Sequence, residues 1–239
     1  METSAEIQKI VGEVLDALSG FSSDKRRKQI RYFAPGSQEI LGVSNPNLKE
    51  VIKVFRERYK HWDEQRWIAL CKSLVACDVF ECQVLSYEII GRNKRLLNVL
   101  TYKDLMDLWR NLDNWASVDH FSVGIYGVLW GKGVVTDEHI EELLKSENFW
   151  DRRVAVVSTV ALNLKSRGGK GDIPRTLAVC EKVVDDREDL IRKALSWALR
   201  ELSKRDPQAV RNFIDTYRNR LAGLVIREVN HKLDFGTKN

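Results

Sequence analysis

Apolar residues recur at helical spacing in RRVAVVSTVALNLK (residues 152–165) and in DLIRKALSWALRELSKR (residues 189–205). Both segments place apolar side chains at positions i, i+3, i+4 and i+7, which is the pattern of a helix with one buried face. The segments also align with each other, because Ala155 and Ala194 lie 39 residues apart. A period of about 40 residues built from helix pairs is typical of HEAT and armadillo repeats. The sequence therefore predicts an all-α fold, a HEAT-like helical repeat solenoid (an α-α superhelix).

The same spacing extends over much of the remaining chain. In QRWIALCKSL, Ala69 aligns with Ala155 at two repeat units of about 43 residues each. An intervening repeat unit, expected midway between Ala69 and Ala155, would fall around residues 107–127. The spacing predicts further helices over residues 6–17, 48–60, 64–77, 137–146 and 173–186.

Clusters of Gly, Pro, Ser and Asn predict where the helices are interrupted. They indicate loops over residues 34–46 and 166–174. Asp24 and Asp137 are the predicted N-caps of the helices that follow them. We expect a single HEAT-like repeat domain over residues 1–239, with a short flexible tail from about residue 234.

In a solenoid of stacked helix pairs, the inner helices line a concave groove. Basic residues fall on the second helix of each predicted pair: Arg66, Arg152, Arg153, Arg192, Lys193 and Arg200. Where those helices form the inner layer, the groove is positively charged and fits the phosphate backbone of a duplex. The alternative is that these charges occupy exposed helix faces with no partner. The net charge of +5 favours a polyanionic partner only modestly.

Composition excludes several classes of protein. No run approaches the roughly 18 to 20 consecutive apolar residues that a membrane span needs. The N-terminal METSAEIQKIVGEVL has the pattern of an amphipathic helix, not of a signal peptide, so we expect a cytoplasmic protein without membrane contacts. The cysteines lack C-x-x-C spacing and the histidines are scattered, so we expect reduced thiols, no metal and no cofactor. These cysteines are Cys71, Cys77, Cys82 and Cys180.

Two basic segments and several tryptophans have simple interpretations. GGKGD (residues 168–172) lacks the rest of a phosphate-loop motif, so it is interpreted as a flexible loop, and a nucleotide-dependent enzyme is set aside. KRRKQIR (residues 25–31) is interpreted as a solvent-exposed helix that faces DNA. Packing is the simpler role for Trp67, Trp109, Trp130 and Trp150.

The most unusual segment is DLWRNLDNWASVDHFSVGIYG (residues 107–127). Trp115 and Asp119 are four residues apart, so on a helix they share a face. An aromatic plane beside a carboxylate can bind a cationic ring. From the spacing alone, a packed Trp and a surface Asp remain the simpler interpretation. His120 points about 100° away from Asp119 on a helix and is left out of the pair.

Four segments, in order, resemble one known family. They are RYFAPGSQEILGVSNPNLKEV (31–51), NWASVD (114–119), NFWDRRVAVV (148–157) and IRKALSWALRELSKRDP (191–207). Together they are similar to the DNA alkylation repair family, the AlkD-like HEAT-repeat DNA glycosylases, over roughly residues 5–233. The most specific part is W-x-S-V-D followed about 75 residues later by K-A-x-x-W-x-L-R-E.

The resemblance implies a role for each matching residue. It makes Asp119 the catalytic carboxylate, and it places Trp115, Trp197 and Tyr32 around the lesion-bearing nucleotide. It also implies that Arg153 contacts the DNA backbone. With the basic residues of the predicted groove and loop, the expected DNA-binding set is Arg153, Arg152, Arg192, Lys193, Lys165, Arg167 and Lys170.

The chemistry of alkylated purines explains why one carboxylate between aromatic side chains would be enough for base release. Alkylation at N3 or N7 makes the purine cationic, so the base leaves neutral and the sugar gains oxocarbenium character. Asp119 would stabilise that charge and position a water. Trp faces favour cations by roughly 0.5 to 2 kcal/mol. No lysine is placed for Schiff-base chemistry, so the resemblance implies a monofunctional enzyme of base excision repair that leaves an abasic site.

The expected partner is double-stranded DNA containing alkylated purines, bound by a monomer. The alternative is a HEAT-like DNA-binding or protein-interaction scaffold that has lost catalysis, since fold does not fix function. A degenerate scaffold should have lost at least one member of the matching set, and all four are present: Trp115, Asp119, Arg153 and Trp197.

Overall fold

The computed structural model describes residues 2–109 and 112–237, and the regular structure in these ranges is helical. A single isolated β-bridge joins Glu39 to Val79 within them. The predicted all-α class is therefore confirmed. The chain divides into two compact units, Met1–Phe121 and Ser122–Asn239, called here the N-terminal and the C-terminal unit. The single repeat domain stays a prediction, and the last two residues of the predicted tail lie outside the described residues.

The N-terminal unit is a set of helices packed around α1, α4 and α5. Its helices are α1 (Glu2–Ser19), α2 (Asp24–Phe33), α3 (Asn45–Arg58), α4 (Glu64–Ala76), α5 (Phe80–Gly91), α6 (Lys94–Val99), α7 (Tyr102–Leu108) and α8 (Trp115–Phe121). Helix α4 packs against α1, α5 and α7, and α5 packs against α8. Leu18, Leu74 and Ile90 are fully buried in this core. The packing leaves α2 at the periphery, with no buried residue of its own.

The C-terminal unit is organised around α11. A π-helical turn (Ser122–Tyr126) opens the unit, and a short 3-10 turn (Lys165–Arg167) follows α11. The helices are α9 (Gly127–Gly131), α10 (Asp137–Leu144), α11 (Phe149–Asn163), α12 (Ile173–Lys182), α13 (Asp189–Leu202), α14 (Pro207–Tyr217) and α15 (Gly223–Phe235). Every residue of α11 from Arg153 to Asn163 is buried, and α11 packs against α13, which packs against α15. Among the described helices, none is long and apolar enough to cross a bilayer.

The helices predicted from periodicity are present, with ends that shift by up to four residues. The segment predicted over 152–165 is α11, and the segment over 189–205 is α13. The basic run at residues 25–31 lies within α2, as predicted. Trp67 and Trp130 are buried, and the Trp130 indole donates to Asp137 at 2.7 Å, so packing is confirmed for both.

Three details of the sequence-based prediction were wrong. The N-caps lie one residue earlier than predicted, because the Ser23 and Thr136 side chains accept from backbone N–H groups of the first turn. Asp24 and Asp137 are instead the first residues of α2 and α10, where a carboxylate interacts favourably with the positive end of the helix dipole. The repeat alignment also fails at Ala69, which is exposed, whereas the aligned alanines of α11 and α13 are fully buried.

Candidate functional site

The NWASVD segment forms the start of α8. The amide of Asn114 caps the helix, since the Ser117 backbone N–H donates to Asn114 Oδ1 at 2.9 Å and Asn114 Nδ2 lies 3.2 Å from Ser117 Oγ. Trp115 is the first residue of the helix and is 39% exposed, and Asp119 is half-buried one turn later. Because they are four residues apart on a capped helix, the two side chains share one face, as the spacing predicted.

Trp115 also fixes the end of a different helix. Its indole N–H donates to the carbonyl oxygen of Phe33, the last residue of α2. Helix ends leave such carbonyls without an intrahelical partner, so this hydrogen bond supplies one. The structure thereby brings the predicted Tyr32 segment beside Trp115. The Tyr32 side chain is 81% exposed, and its ring meets the Phe33 ring edge to face at a centroid distance of 5.2 Å.

The loop after α2 is held against the residues that precede α8. The Ser37 backbone N–H donates to Asp113 Oδ2 at 2.5 Å. At Gly36, an added Cβ would lie 2.6 Å from Asp113 Oδ1, so a larger residue would force the Asp113 carboxylate to shift. The family resemblance rested partly on this loop, and the structure shows that it links α2 to α8.

The beginning of α2 is fixed by a buried carboxylate of α5. Glu81 is fully buried, and its oxygens accept the backbone N–H groups of Leu41, Gly42 and Val43 at 2.9, 2.7 and 3.2 Å. Gly42 has a φ of +83°, and a Cβ there would lie 2.2 Å from the carbonyl oxygen of Ser23, the α2 cap. The Leu-Gly-Val motif therefore joins α5 to the start of α2. An acidic residue inside the apolar stretch VFECQVLSY was the signal that sequence reasoning missed.

His120 has a partner other than Asp119. Its Nε2 lies 3.2 Å from an oxygen of Glu88 on α5. This hydrogen bond, with the positive charge of Arg92, lowers the pKa of Glu88 to about 2. His120 therefore contacts α5, and it is not part of the predicted Trp115–Asp119 pair.

A basic groove in the N-terminal unit was missed by the sequence analysis. Lys49, Lys53 and Arg56 lie at positions i, i+4 and i+7 of α3 and line a groove of about 660 Å³. Arg92, the residue that follows α5, also lines it, as do the carboxylates of Glu57 and Glu88. Lys49 and Lys53 are exposed. The signal was present in LKEVIKVFRERYK, where the apolar periodicity was used and the charged face was not.

Three predicted DNA contacts of the C-terminal unit are engaged with protein atoms. Arg152 Nε lies 2.8 Å from Asp186 Oδ2, and its Nη1 donates to the carbonyl oxygens of Ser146 and Glu147. Arg192 Nε donates to the Asp186 carbonyl oxygen at 3.2 Å. Arg153 is 5% exposed and donates to the carbonyl oxygen of Leu190. Arg152 and Arg192 thus hold Asp186 in the connection between α12 and α13, and Arg153 holds the first turn of α13.

The other predicted DNA contacts of this unit lie nearer the surface. Lys165 and Lys170 are exposed, Arg167 is half-buried, and exposed Lys193 pairs with Asp189 at 2.6 Å. Trp197 is half-buried on α13.

The GGKGD loop is held in place by the protein itself. Arg205 donates to the carbonyl oxygens of Asn163 and Gly169 at 2.8 and 2.7 Å. An added Cβ at Gly169 would lie 2.4 Å from the Ala161 carbonyl oxygen. These contacts give Gly169 a structural role, and the flexibility of the loop stays a prediction.

The free cysteines differ in environment, and a hydrogen bond with Cys82 lowers the pKa of the half-buried Cys77 to about 7. Over residues 2–109 and 112–237, no group of three or more His, Cys, Asp or Glu side chains could hold a metal ion. The thiols are free, and burial raises the pKa of Cys71 to about 12.

Comparison with known proteins identifies the family. Residues 14–233 match the family described as DNA alkylation repair enzyme. The chain belongs to this family. Membership points to DNA alkylation repair, with DNA as the substrate.

A solved structure shows the same fold in another chain with that description. It is described as a "Predicted DNA alkylation repair enzyme from Enterococcus faecalis" and is 17% identical, with a TM-score of 0.68. The similarity covers 90% of this chain and 97% of that chain. No curated protein sequence matches. The α8 pair and the end of α2 both lie within the region that matches the family.

Proposed function

We propose that this DNA alkylation repair enzyme is a monofunctional glycosylase that releases cationic N3- or N7-alkylated purines from duplex DNA. The observation that carries the proposal is the placement of Trp115 and Asp119 on one face of the capped helix α8, with the Trp115 ring partly exposed. The family match supports repair of alkylated DNA, and this pair supplies a chemistry for it.

The proposed reaction needs a negative group beside the sugar and no acid at the base. An alkylated purine leaves as a neutral molecule, so the barrier lies mainly in the positive charge that develops on the sugar. Asp119 stabilises that charge and orients the water that attacks the anomeric carbon. The Trp115 face favours cations, so normal neutral bases gain less from the site. Uracil, a neutral lesion, is therefore expected to be a poor substrate.

Two sets of residues are proposed to grip the DNA backbone. In the N-terminal unit, the exposed lysines of α3 and the basic residues of α2 supply phosphate contacts, because both surfaces are positively charged and face solvent. In the C-terminal unit, the exposed residues Lys165, Lys170 and Lys193 are the proposed contacts. Arg152, Arg153 and Arg192 are proposed to hold the α12–α13 connection in shape, since their hydrogen bonds go to protein oxygens.

A base-release assay tests the proposal. The protein is incubated with methylated duplex DNA, and released 7-methylguanine and 3-methyladenine are measured against spontaneous release. We expect release by the wild type and a strong loss in Asp119→Asn, with duplex affinity largely retained because Asn keeps the shape and removes the charge. Asp16→Asn, at an exposed position of α1, is the matched control and is expected to keep full activity.

The second candidate function is a catalytically inactive DNA-binding scaffold. It predicts duplex affinity without release above the spontaneous rate, so absence of release would favour it over the glycosylase. Equal release by wild type and Asp119→Asn, above the spontaneous rate, would instead support the glycosylase function and rule out Asp119 as its catalytic carboxylate.

A further inference from the structure

The turn between α4 and α5 brings two thiols into contact. Cys77 caps the C-terminal end of α4, and Cys82 is the third residue of α5. Asp78, which follows Cys77, has a φ of +58°, in the left-handed region that Asp tolerates better than most residues. Across this turn, the thiol of Cys82 hydrogen-bonds to the sulfur of Cys77. The two sulfurs are therefore already close together in the reduced protein.

The two thiols differ in the way that a reactive pair requires. Cys77 is half-buried, so a small molecule can reach its sulfur, whereas Cys82 is fully buried. The hydrogen bond from Cys82 lowers the pKa of Cys77 to about 7, although burial and the charge of Asp78 oppose the shift. In its protonated form, Cys77 donates to the Leu74 carbonyl oxygen at 2.9 Å. Near neutral pH, Cys77 is thus partly thiolate, the nucleophilic form, while the same contact raises the pKa of Cys82 and keeps it protonated.

The other two cysteines lack this environment. Cys71 and Cys180 are fully buried, and burial raises the pKa of Cys71 to about 12 and also raises that of Cys180. A buried thiol that stays protonated is inert toward electrophiles and oxidants. The chain therefore carries its own reference thiols, against which the reactivity of Cys77 can be measured.

The same turn supports the loop that holds α2. Two backbone hydrogen bonds, of 3.2 and 2.9 Å, join Glu39 to this turn. The loop continues into residues 41–43, whose N–H groups bind the carboxylate of Glu81, the residue before Cys82. A disulfide needs its sulfurs about 2.05 Å apart, closer than two hydrogen-bonded thiols, so its formation must shift the turn.

We propose that Cys77 and Cys82 are an oxidation site, at which a hydroperoxide converts the dithiol to a disulfide and thereby loosens the loop that Glu81 holds. The Cys77 thiolate attacks the hydroperoxide: an S–O bond forms, the O–O bond breaks, and the leaving oxygen takes a proton and departs as an alcohol or as water. The Cys82 sulfur then attacks the Cys77 sulfur: the S–S bond forms, the S–O bond breaks, and hydroxide leaves as water with the Cys82 proton. The thiols lose two electrons, which the hydroperoxide gains. This site is separate from the proposed glycosylase chemistry.

Peptide mapping of the native full-length protein tests the site. The protein is treated with a small excess of hydrogen peroxide, the remaining thiols are blocked with N-ethylmaleimide in denaturant, and the product is digested with trypsin. Cleavage after Lys72 and Arg92 leaves both thiols in one peptide, apart from Cys71 and Cys180. We expect this peptide to be unblocked and lighter by two hydrogen atoms, with the two reference cysteines blocked. A fully blocked peptide, or equal oxidation of Cys71, overturns the proposal.

A serine variant separates the roles of the two sulfurs. Cys82→Ser keeps a hydroxyl donor beside Cys77 but cannot form the disulfide, so a sulfenic acid should accumulate on Cys77 and be captured by dimedone. Cys71→Ser is the matched control and should still form the disulfide. In the native wild type, N-ethylmaleimide should modify Cys77 at least about 100-fold faster than Cys71 near pH 7. Equal rates, or a folded Cys82→Ser without the dimedone adduct, would refute the reactivity of Cys77, and the rates decide alone if that variant does not fold.

Amide hydrogen exchange tests the consequence for the loop. Residues 41–43 should exchange faster in the oxidised protein than in the reduced one, and dithiothreitol should restore slow exchange. Peroxide-treated Cys77→Ser, which cannot form the bond, is the control and should show no change. A disulfide that leaves this exchange unchanged overturns the link to the loop. Neither measurement uses base release, so failure of the glycosylase proposal and failure of this one are told apart.

Discussion

Helices α2 and α11 are held in place by different forces. Helix α11 lies within its unit with every residue from Arg153 to Asn163 buried, so apolar burial fixes it. Helix α2 buries no residue and is fixed at both ends by polar contacts from α5 and from the start of α8. A helix held only at its ends can keep a charged and aromatic surface for a ligand. The proposed DNA contacts of the N-terminal unit accordingly include α2, a helix that contributes no buried residue to the core.

The strongest test of this difference removes the buried carboxylate that holds the start of α2. Glu81→Ala leaves three backbone N–H groups without their acceptor. An unsatisfied buried group costs about 1–3 kcal/mol, so we expect a loss of at least about 3 kcal/mol in the free energy of unfolding. Urea denaturation measures it.

The matched control for Glu81 is Glu39→Ala, at an exposed glutamate of the same loop. It should change stability by less than about 0.5 kcal/mol, as ordinary surface substitutions do. Similar losses in the two variants would mean that the carboxylate does not hold the loop.

A paired truncation compares the two helices directly. Leu162→Ala in α11 removes a buried side chain and is expected to cost about 2–5 kcal/mol of unfolding free energy. Ile30→Ala in α2 removes an only half-buried one and should cost less than about 1 kcal/mol. Equal losses, measured by urea denaturation, would show that α2 depends on apolar burial after all.

The Glu88–His120 contact predicts a pH dependence in the N-terminal unit. The pKa of Glu88 is about 2 when folded, well below the ordinary glutamate value of about 4.3. A lowered folded pKa stabilises the protein above the unfolded value, and the contribution is lost as the pH falls from about 4.3 toward 2. Glu88→Gln should therefore show a smaller stability loss than wild type across this window, in urea titrations at several pH values. Parallel curves would contradict the contact.

The smallest expected effect concerns the hydrogen bond at the end of α2. Trp115→Phe keeps an aromatic ring and removes the N–H that binds the Phe33 carbonyl. The loss should be about 0.5–1.5 kcal/mol in stability, with faster amide hydrogen exchange in the last turn of α2. Trp150→Phe, at a half-buried Trp of α11, is the control and should leave α2 exchange unchanged. Unchanged exchange in Trp115→Phe would show that the bond does not order α2.

Periodicity predicted seven of the amphipathic helices and missed others, among them the amphipathic α14 and the largely buried α5. Helix α5 was not predicted, because eight of its twelve residues are buried and no polar face remains to set a period. The Ala69 register failed because an alanine fits an exposed face as readily as a core. Local spacing was enough for the Trp115–Asp119 pair, which lies within one helix turn.

The rest of the site depends on contacts that are distant in sequence. Glu81 meets its N–H donors about 40 residues away, and Trp115 meets Phe33 at a separation of 82 residues. No local pattern encodes such pairings. Phe33 itself carries no sequence signal that separates it from a core phenylalanine, because only the fold reveals its exposure.

Single-turnover release from a duplex with one 7-methylguanine tests the central claim most directly. The account predicts rapid release by wild type and Asp16→Asn, and near-spontaneous release by Asp119→Asn at similar duplex affinity. Removing one electrostatic catalytic group typically costs about 10²–10³ in rate. Equal rates for wild type and Asp119→Asn, both above the spontaneous rate, would contradict the assignment of the α8 carboxylate as the catalytic group.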